Sequence, residues 1–375
     1  MGSKWKLTTF VGTRPELIRL SEIIRLSDQV FDHRLIHSGQ NSATFLSDVF
    51  FQDLDIRKPN EMLNCPTDSF ATFLSDLLPK VEKELITNRP DGVLILGDTN
   101  TSYISIIARR LQIPVYHLEA GNRSFDPNIP EEINRRIVDH ASDFNLAYTE
   151  FARRNLISEG LHPRTIAVVG SPLKEVLTKQ KENIEKSMIL DQLSLGKDKY
   201  LLASMHRQEN VNSKPRLMKL MESLEVAHLR LQLPVILSLH PRTDTKLHDY
   251  GIGLSKSIKT ISPVGFHDFV KLQQNAKLVI SDSGSISEEA SILGFSAITI
   301  RDSMERPEAL EAGSIVLSGT SPESVSRAVD AALNLGSASH IPVEYEFTDT
   351  SRRVVNFVLS TLPTYSEWIG LRKFH

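Results

Sequence analysis

Residues 278–289 read LVISDSGSISEE. An apolar run ends in Asp282, Ser283, Gly284 and Ser285, and two acids follow one turn into a helical pattern. Small polar residues between a buried strand and a helix start leave backbone N–H groups open to an anion, and a phosphate is the natural guest. The stretch is neither a G-x-x-x-x-G-K-[ST] loop nor a G-x-G-x-x-G turn. In the purely structural alternative, Ser283 or Ser285 only caps the helix.

Five other apolar runs end in the same manner. Gly12-Thr13-Arg14-Pro15-Glu16, Gly97-Asp98-Thr99-Asn100-Thr101, Glu119-Ala120-Gly121-Asn122-Arg123, His206-Arg207 and His240-Pro241-Arg242 each follow one. Arg14, Arg207, Arg242 and Arg306 supply planar forks suited to phosphate, and Arg123 and His240 join them as binding candidates. Glu289 lies too deep in its helix to cap it, and its carboxylate suits two ribose hydroxyls. Asp98, Glu119 and Glu131, with His206, are the parts needed to move a proton from carbon or water. Asp98 and Asp282 are also natural N-cap types, and Glu131, just inside Pro130, also suits the helix dipole. His206 and His240 come from different strands without H-x-x-x-H or D-x-D spacing, so no metal is expected. Ser283 lacks a G-x-S-x-G elbow, which argues against a serine hydrolase. His37 and His117 fall inside or late in strands and read as core or hydrogen-bonded residues.

The elements that must carry these residues alternate from end to end. Strands are expected at 6–12, 33–39, 92–98, 114–120, 144–149, 165–171, 200–206, 234–240, 258–263, 277–283 and 296–302. Helices are expected at 15–28, 68–87, 102–111, 131–141, 150–158, 214–230, 267–274 and 286–293. Near-continuous apolar strands alternating with helices indicate parallel sheets covered on both faces, the α/β class. That is too many strands for one comfortable sheet. The chain is therefore divided into residues 1–173, a charged connector at 174–199, residues 200–350, and a C-terminal helix and tail at 351–375. Ligands of such sheets bind outside the carboxyl ends of the strands, so two domains facing across a cleft are expected to share one site.

Bulk composition excludes several classes. The 375 residues carry a net charge of −3, 40% hydrophobic and 24% charged residues, ordinary for a globular chain and unlike a general nucleic-acid binder. Cys65 is the single cysteine, so no intrachain disulfide and no cysteine zinc site are expected, and a reducing cytoplasm fits. No apolar stretch resembles a secretory leader or a membrane span.

The segments VGTRPELIR, LGDTNT, HLEAGNRSFD…PEEINRRIVDH, GSP, HRQENV, HPR, SDSGSISEEA and RDSMERPE occur in this order along the chain. Together they resemble the non-hydrolysing UDP-N-acetylglucosamine 2-epimerase family across roughly residues 6 to 320. The resemblance implies a glycosyltransferase-B-like fold of two Rossmann-like domains, with the nucleotide held mainly by the second. It implies reversible inversion at C2 of a UDP-2-acetamido sugar, no metal or nicotinamide cofactor, UDP and the UDP-sugar as partners, and a cytoplasmic homodimer. It assigns catalysis to Asp98, Glu119, Glu131 and His206. It assigns UDP or substrate binding to Arg14, Ser283, Gly284, Ser285, Glu289 and Arg306, with Phe269 near the uracil.

Three departures point to a sub-branch. Arg19 stands where the family's commoner motif has Lys, the stretch from Glu119 to Glu131 is shortened, and Ser285 replaces a second Gly. These features resemble the capsule and O-antigen enzymes that convert UDP-2-acetamido-2,6-dideoxy-L-talose to the L-fucosamine nucleotide. The stretch SGQNSATF lacks the His and Arg by which some bacterial members bind a second UDP-sugar as activator. A hydrolysing epimerase, a glycosyltransferase and a silent nucleotide-sugar sensor are the rival expectations. UDP-GlcNAc/UDP-ManNAc interconversion is the rival substrate reading.

Overall fold

The computed structural model describes residues 4–40, 51–336 and 340–371. Residues 41–45 of SGQNSATF and the end of the tail lie outside the described residues. The chain divides into two compact units. One takes the described residues within Met1–Arg123, Ile129–Thr178 and Phe347–His375; the other takes Ser124–Asn128 and Lys179–Glu346.

The first unit holds a seven-stranded parallel sheet in the order β3-β2-β1-β4-β5-β6-β7. Its strands are β1 (Lys6–Val11), β2 (Asp32–His37), β3 (Glu61–Met62), β4 (Gly92–Leu96), β5 (Val115–Ala120), β6 (Phe144–Ala147) and β7 (Ile166–Val168). The order reverses between β1 and β4, a switch point of the kind at which open α/β sheets bind ligands. Helix Thr350–Thr361 packs on helix Arg14–Val30 and returns the end of the chain to this unit. Ser351 N–H and Oγ–H donate to Glu175 at 2.8 and 2.6 Å, and the Tyr116 and Thr361 hydroxyls share a 2.7 Å hydrogen bond.

The second unit holds a six-stranded parallel sheet in the order β10-β9-β8-β11-β12-β13. These strands are β8 (Leu201–Met205), β9 (Val235–Leu239), β10 (Ile258–Ile261), β11 (Leu278–Ser281), β12 (Ala297–Thr299) and β13 (Val316–Leu317). Successive side chains of a strand point to opposite faces. Leu201, Ala203 and Met205 accordingly enter one apolar cluster and Leu202 another; Leu278 and Ile280 are likewise separated from Val279. Both faces are buried, which is why the strands read as continuous apolar runs. The connector at 174–199 forms short helices, Lys181–Lys186 and Ile189–Gln192 among them.

The eleven expected strands are present, and the two-residue β3 and β13 are additional. Helices Pro241–Tyr250 and Pro322–Leu335 were also not expected. Among the described residues, no helix is long and apolar enough to cross a membrane.

Candidate active site

In the first unit the candidate acids gather where β4, β5 and helix Pro130–Ala141 end or begin. Pro130 opens that helix with a preset φ, and Glu131 and Arg135 lie four residues apart on one helical face. Arg135 is buried and forms ion pairs with both Asp98 and Glu119. Its NH2 contacts Asp98 Oδ2 and stands 3.2 Å from Glu119 Oε1, while NH1 donates to the Glu119 carbonyl. On the other side Arg19 Nε lies 3.7 Å from Glu119 Oε2, and its guanidinium sits 5.6 Å from the Tyr148 ring centre. Two carboxylates are thus held at one place by two arginines. Glu119 is only 8% exposed at its side chain and Asp98 22%.

Glu119 has a left-handed backbone, φ +67°, at a register shift between β5 and β6. For a residue with a side chain this conformation costs of order 1–3 kcal/mol and persists only when its surroundings fix it. The Arg135 bond to its carbonyl is one such constraint. Gly121 is another, with φ +82° and no room for a Cβ, which would lie 2.3 Å from the Ala152 carbonyl oxygen.

The first turn supplies a further buried carboxylate. Glu16 Oε2 accepts Gly12 N–H at 2.9 Å and both the N–H and the hydroxyl of Thr13 at 2.7 Å; Oε1 accepts the Thr99 hydroxyl at 3.0 Å. This capping box fastens the Arg14 turn to the turn carrying Asp98. Burial raises the Glu16 carboxyl to about 7 against four hydrogen bonds that favour its charged form. Arg14 opens the helix half-buried, and burial lowers its guanidinium from the usual value.

In the second unit Asp282 is fully buried at the end of β11 and organises the end of β8. It accepts the N–H groups of His206 and Arg207 at 3.1 Å and Asn210 Nδ2 at 2.9 Å. Its Oδ1 lies 3.4 Å from His206 Nδ1, so it orients a ring that is 38% exposed. The turn after Asp282 is tight. Ser283 and Ser285 share a hydroxyl bond at 2.9 Å, and Ser285 donates to Glu289 Oε1 at 2.7 Å. Gln273 donates to the other Glu289 oxygen at 2.5 Å. Ser285 makes no side-chain cap bond to the helix, so the capping alternative fails for it. A Cβ on Gly284 would lie 3.0 Å from both the Arg207 and Arg306 guanidinium nitrogens, so a side chain there would push the two forks back from the turn. Phe269 packs half-buried against the core of this unit.

A family model described as UDP-N-acetylglucosamine 2-epimerase matches residues 25–359. The chain belongs to the UDP-N-acetylglucosamine 2-epimerase family. It is an isomerase, a UDP-sugar C2 epimerase, and the two parallel sheets are the α/β architecture of this family's structures. It is similar to the UDP-N-acetylglucosamine 2-epimerase of Methanocaldococcus jannaschii, 38% identical over 345 residues, covering 88% of this chain and 92% of the relative. A crystal structure of the M. jannaschii UDP-GlcNAc 2-epimerase with UDP-GlcNAc and UDP matches with TM-score 0.90 at 36% identity, over 95% of this chain and 99% of that one. A UDP-N-acetylglucosamine 2-epimerase structure from Rickettsia bellii gives 0.91 at 39% identity, over 98% of this chain and 100% of that one. A Pseudomonas aeruginosa UDP-2,3-diacetamido-2,3-dideoxy-D-glucuronate 2-epimerase is 31% identical over 325 residues, 85% of this chain and 90% of that one.

Several residues of the epimerase take other places than their types suggested. Arg123 has a fully buried side chain, paired with Asp139 at 2.7 Å and with Glu159 at 2.6 and 2.8 Å. Its fork is spent on carboxylates, so it braces the β5 turn and is not a phosphate ligand. His240 accepts the Arg242 N–H at 3.1 Å through Nδ1 and caps helix Pro241–Tyr250, its ring centre 5.6 Å from that of His206. Arg242 is exposed and donates to the His206 carbonyl at 3.3 Å. Arg207 pairs with Glu305 at 3.1 Å. Arg306 is buried, pairs with Glu288 and donates to the Gly284 carbonyl at 2.6 Å; it shapes the 283–285 turn. His37 and His117 are buried and hydrogen-bonded, as their strand positions implied. Arg135 has no counterpart among the sequence candidates, and Glu16 and Asp282, named there only as strand-end residues, organise the turns around them. The signal for Arg135 was its four-residue spacing from Glu131.

Proposed function

We propose that this epimerase inverts C2 of a UDP-2-acetamido sugar without releasing it, and that its substrate is UDP-2-acetamido-2,6-dideoxy-L-talose. The observation that carries the chemical part is the holding of Asp98 and Glu119 by one guanidinium beside Arg19. No carbonyl adjoins C2, so its hydrogen becomes removable only as the C1–O bond breaks and positive charge grows at C1. A carboxylate takes the C2 proton, the C1–O electrons leave with UDP, and C1 and C2 become the double bond of a glycal. UDP oxygen then re-forms the C1–O bond while a proton reaches C2 from the opposite face. Asp98, Glu119, Glu131 and His206 are assigned to the two proton transfers and to stabilising the charge at C1. UDP is assigned to the second unit. The 283–285 turn and Arg207 face its phosphates, Arg14 and Arg242 add positive charge, Glu289 takes the ribose hydroxyls, and Phe269 stands near the uracil.

The L-talose assignment rests on Arg19, the short stretch from Glu119 to Glu131, and Ser285. Phe125, in that stretch, is 66% exposed with φ +55°, an apolar ring of the kind that suits a sugar lacking a hydroxyl at C6. UDP-GlcNAc/UDP-ManNAc interconversion is the second reading, favoured by the names of the M. jannaschii and R. bellii relatives. A cytoplasmic homodimer serving capsule or O-antigen synthesis completes the proposal.

Proton NMR of each nucleotide sugar with the enzyme in D2O tests both levels. Epimer with deuterium at C2 and no free sugar is expected. Accumulating free sugar with UDP identifies a hydrolysing enzyme, and no turnover of either sugar identifies a sensor.

A further inference from the structure

His117 stands on β5 two residues before Glu119, and its side chain is fully buried, as is that of Asp139. Its Nε2 lies 2.8 Å from the carbonyl oxygen of Gly97, the residue next to Asp98. Its Nδ1 lies 2.9 Å from Asp139 Oδ1, so the ring is held between a backbone carbonyl and a buried carboxylate. Asp139 uses its other oxygen on Gly121 N–H at 3.2 Å and on Arg123 at 2.7 Å, and Glu159 holds Arg123 from behind. One imidazole and one carboxylate therefore join four pieces: the turn bearing Asp98, the strand bearing Glu119, the backbone just beyond its left-handed residue, and the helix bearing Glu131 and Arg135.

We propose that His117 and Asp139 are a positioning pair for the acid cluster. They touch no substrate; they set where Asp98 and Glu119 stand. An apolar pair here would strand the Gly97 carbonyl and the Gly121 N–H, two backbone groups flanking the acids.

The inference rests on the reading of Asp98 and Glu119 as proton-transfer groups, and the test separates the two. Three variants are compared with the native enzyme: His117→Phe, which keeps ring volume; His117→Gln, which keeps a donor for Gly97; and Asp139→Asn. Epimerisation rate, KM, UDP affinity by calorimetry and thermal midpoint are measured for each. The expected result is a kcat loss of tenfold or more in His117→Phe and Asp139→Asn, a smaller loss that still exceeds twofold in His117→Gln, and KM and UDP Kd within about twofold. A folded His117 variant with kcat within twofold of native overturns the proposal. So does a fall in kcat matched by an equal fall in UDP-binding stoichiometry, which marks unfolded protein. If His117→Phe does not fold, His117→Gln decides by the same criteria. Full turnover in Asp98→Asn and Glu119→Gln would remove the underlying reading; dead acid variants beside normal His117 variants would remove this inference alone.

Discussion

Arg135 grips Glu119 twice: NH1 donates to its backbone carbonyl, and NH2 stands 3.2 Å from Oε1 while also contacting Asp98. One side chain thus fixes both the conformation and the charge of the central acid. Arg135→Met removes the shared partner of two poorly exposed carboxylates. Breaking a buried pair from one side costs about 3–5 kcal/mol, with Arg19 beside Glu119 keeping the loss toward the lower end. Denaturant unfolding should show that loss, and kcat should fall by roughly 10²-fold or more.

Asp98→Asn and Glu119→Gln keep shape and remove charge. Turnover should drop by about 10²–10⁴-fold for each. Each also weakens a contact to Arg135, so a stability loss of about 1–3 kcal/mol is expected, the scale of a charge-assisted hydrogen bond. Near-native deuterium uptake at C2 by either variant would remove that residue from the proton transfers.

The nucleotide should respond to changes in the 283–285 turn. Arg306→Ala releases the Gly284 carbonyl and leaves Glu288 buried without its arginine. UDP affinity should weaken by about 1–3 kcal/mol. Glu289→Gln retains the side-chain length but alters the bonds to Ser285 and Gln273, and should weaken UDP while sparing inorganic diphosphate. Calorimetry with both ligands checks this; equal weakening of the two would move Glu289 away from the ribose.

Glu16 predicts a pH dependence. Its folded carboxyl titrates at about 7 and its unfolded one near 4.5. Between these values the folded state holds the extra proton, so stability from this group is present below pH 4.5 and falls as pH rises through 7. The fall is at most about 3 kcal/mol. Burial lowers His37 to about 4, which acts in the opposite sense as pH rises from 4 to 6.5. The difference in unfolding free energy between native enzyme and Glu16→Gln therefore isolates the glutamate: the variant should gain on the native protein from pH 5 to 8. A flat difference would show that the four donors hold Glu16 ionised throughout.

Substrate choice is tested by kcat/KM for the two nucleotide sugars. The 6-deoxy-L-talose nucleotide should be preferred, and Phe125→Ala should narrow the ratio by about 1–3 kcal/mol, the scale of one hydrophobic contact. A native preference for UDP-GlcNAc of about tenfold or more would reverse the assignment and leave the C2 chemistry intact.

Sequence pattern reached the long buried strands because both faces of each sheet are covered, so GVLIL at 92–96 and LVI at 278–280 are apolar throughout. It missed β3 and β13 because two residues carry no period, and helix Pro241–Tyr250 because PRTDTKLHDY shows a weak apolar face. Among site residues, the strand-end position of Asp98, Glu119 and Ser283 was legible. The duty of Arg123 was not. An arginine after a strand reads as a phosphate fork, and only the fold reveals that Asp139 and Glu159 already occupy this one. Asp282 was legible as a helix-capping type, yet it serves backbone groups 76 and 75 positions earlier, a relation with no local trace.

The return of helix Thr350–Thr361 to the first unit bears on how the protein is made. Phe357 packs edge-on against Phe144 and Tyr116, and Ser351 satisfies Glu175, so that unit lacks a wall until residues 350–361 exist. A ribosome working from the amino terminus exposes its seven-stranded sheet first but supplies the closing helix only after the second unit. The unit spanning Lys179–Glu346 leaves the exit tunnel in the interval, so the part begun first is completed only after the other has emerged.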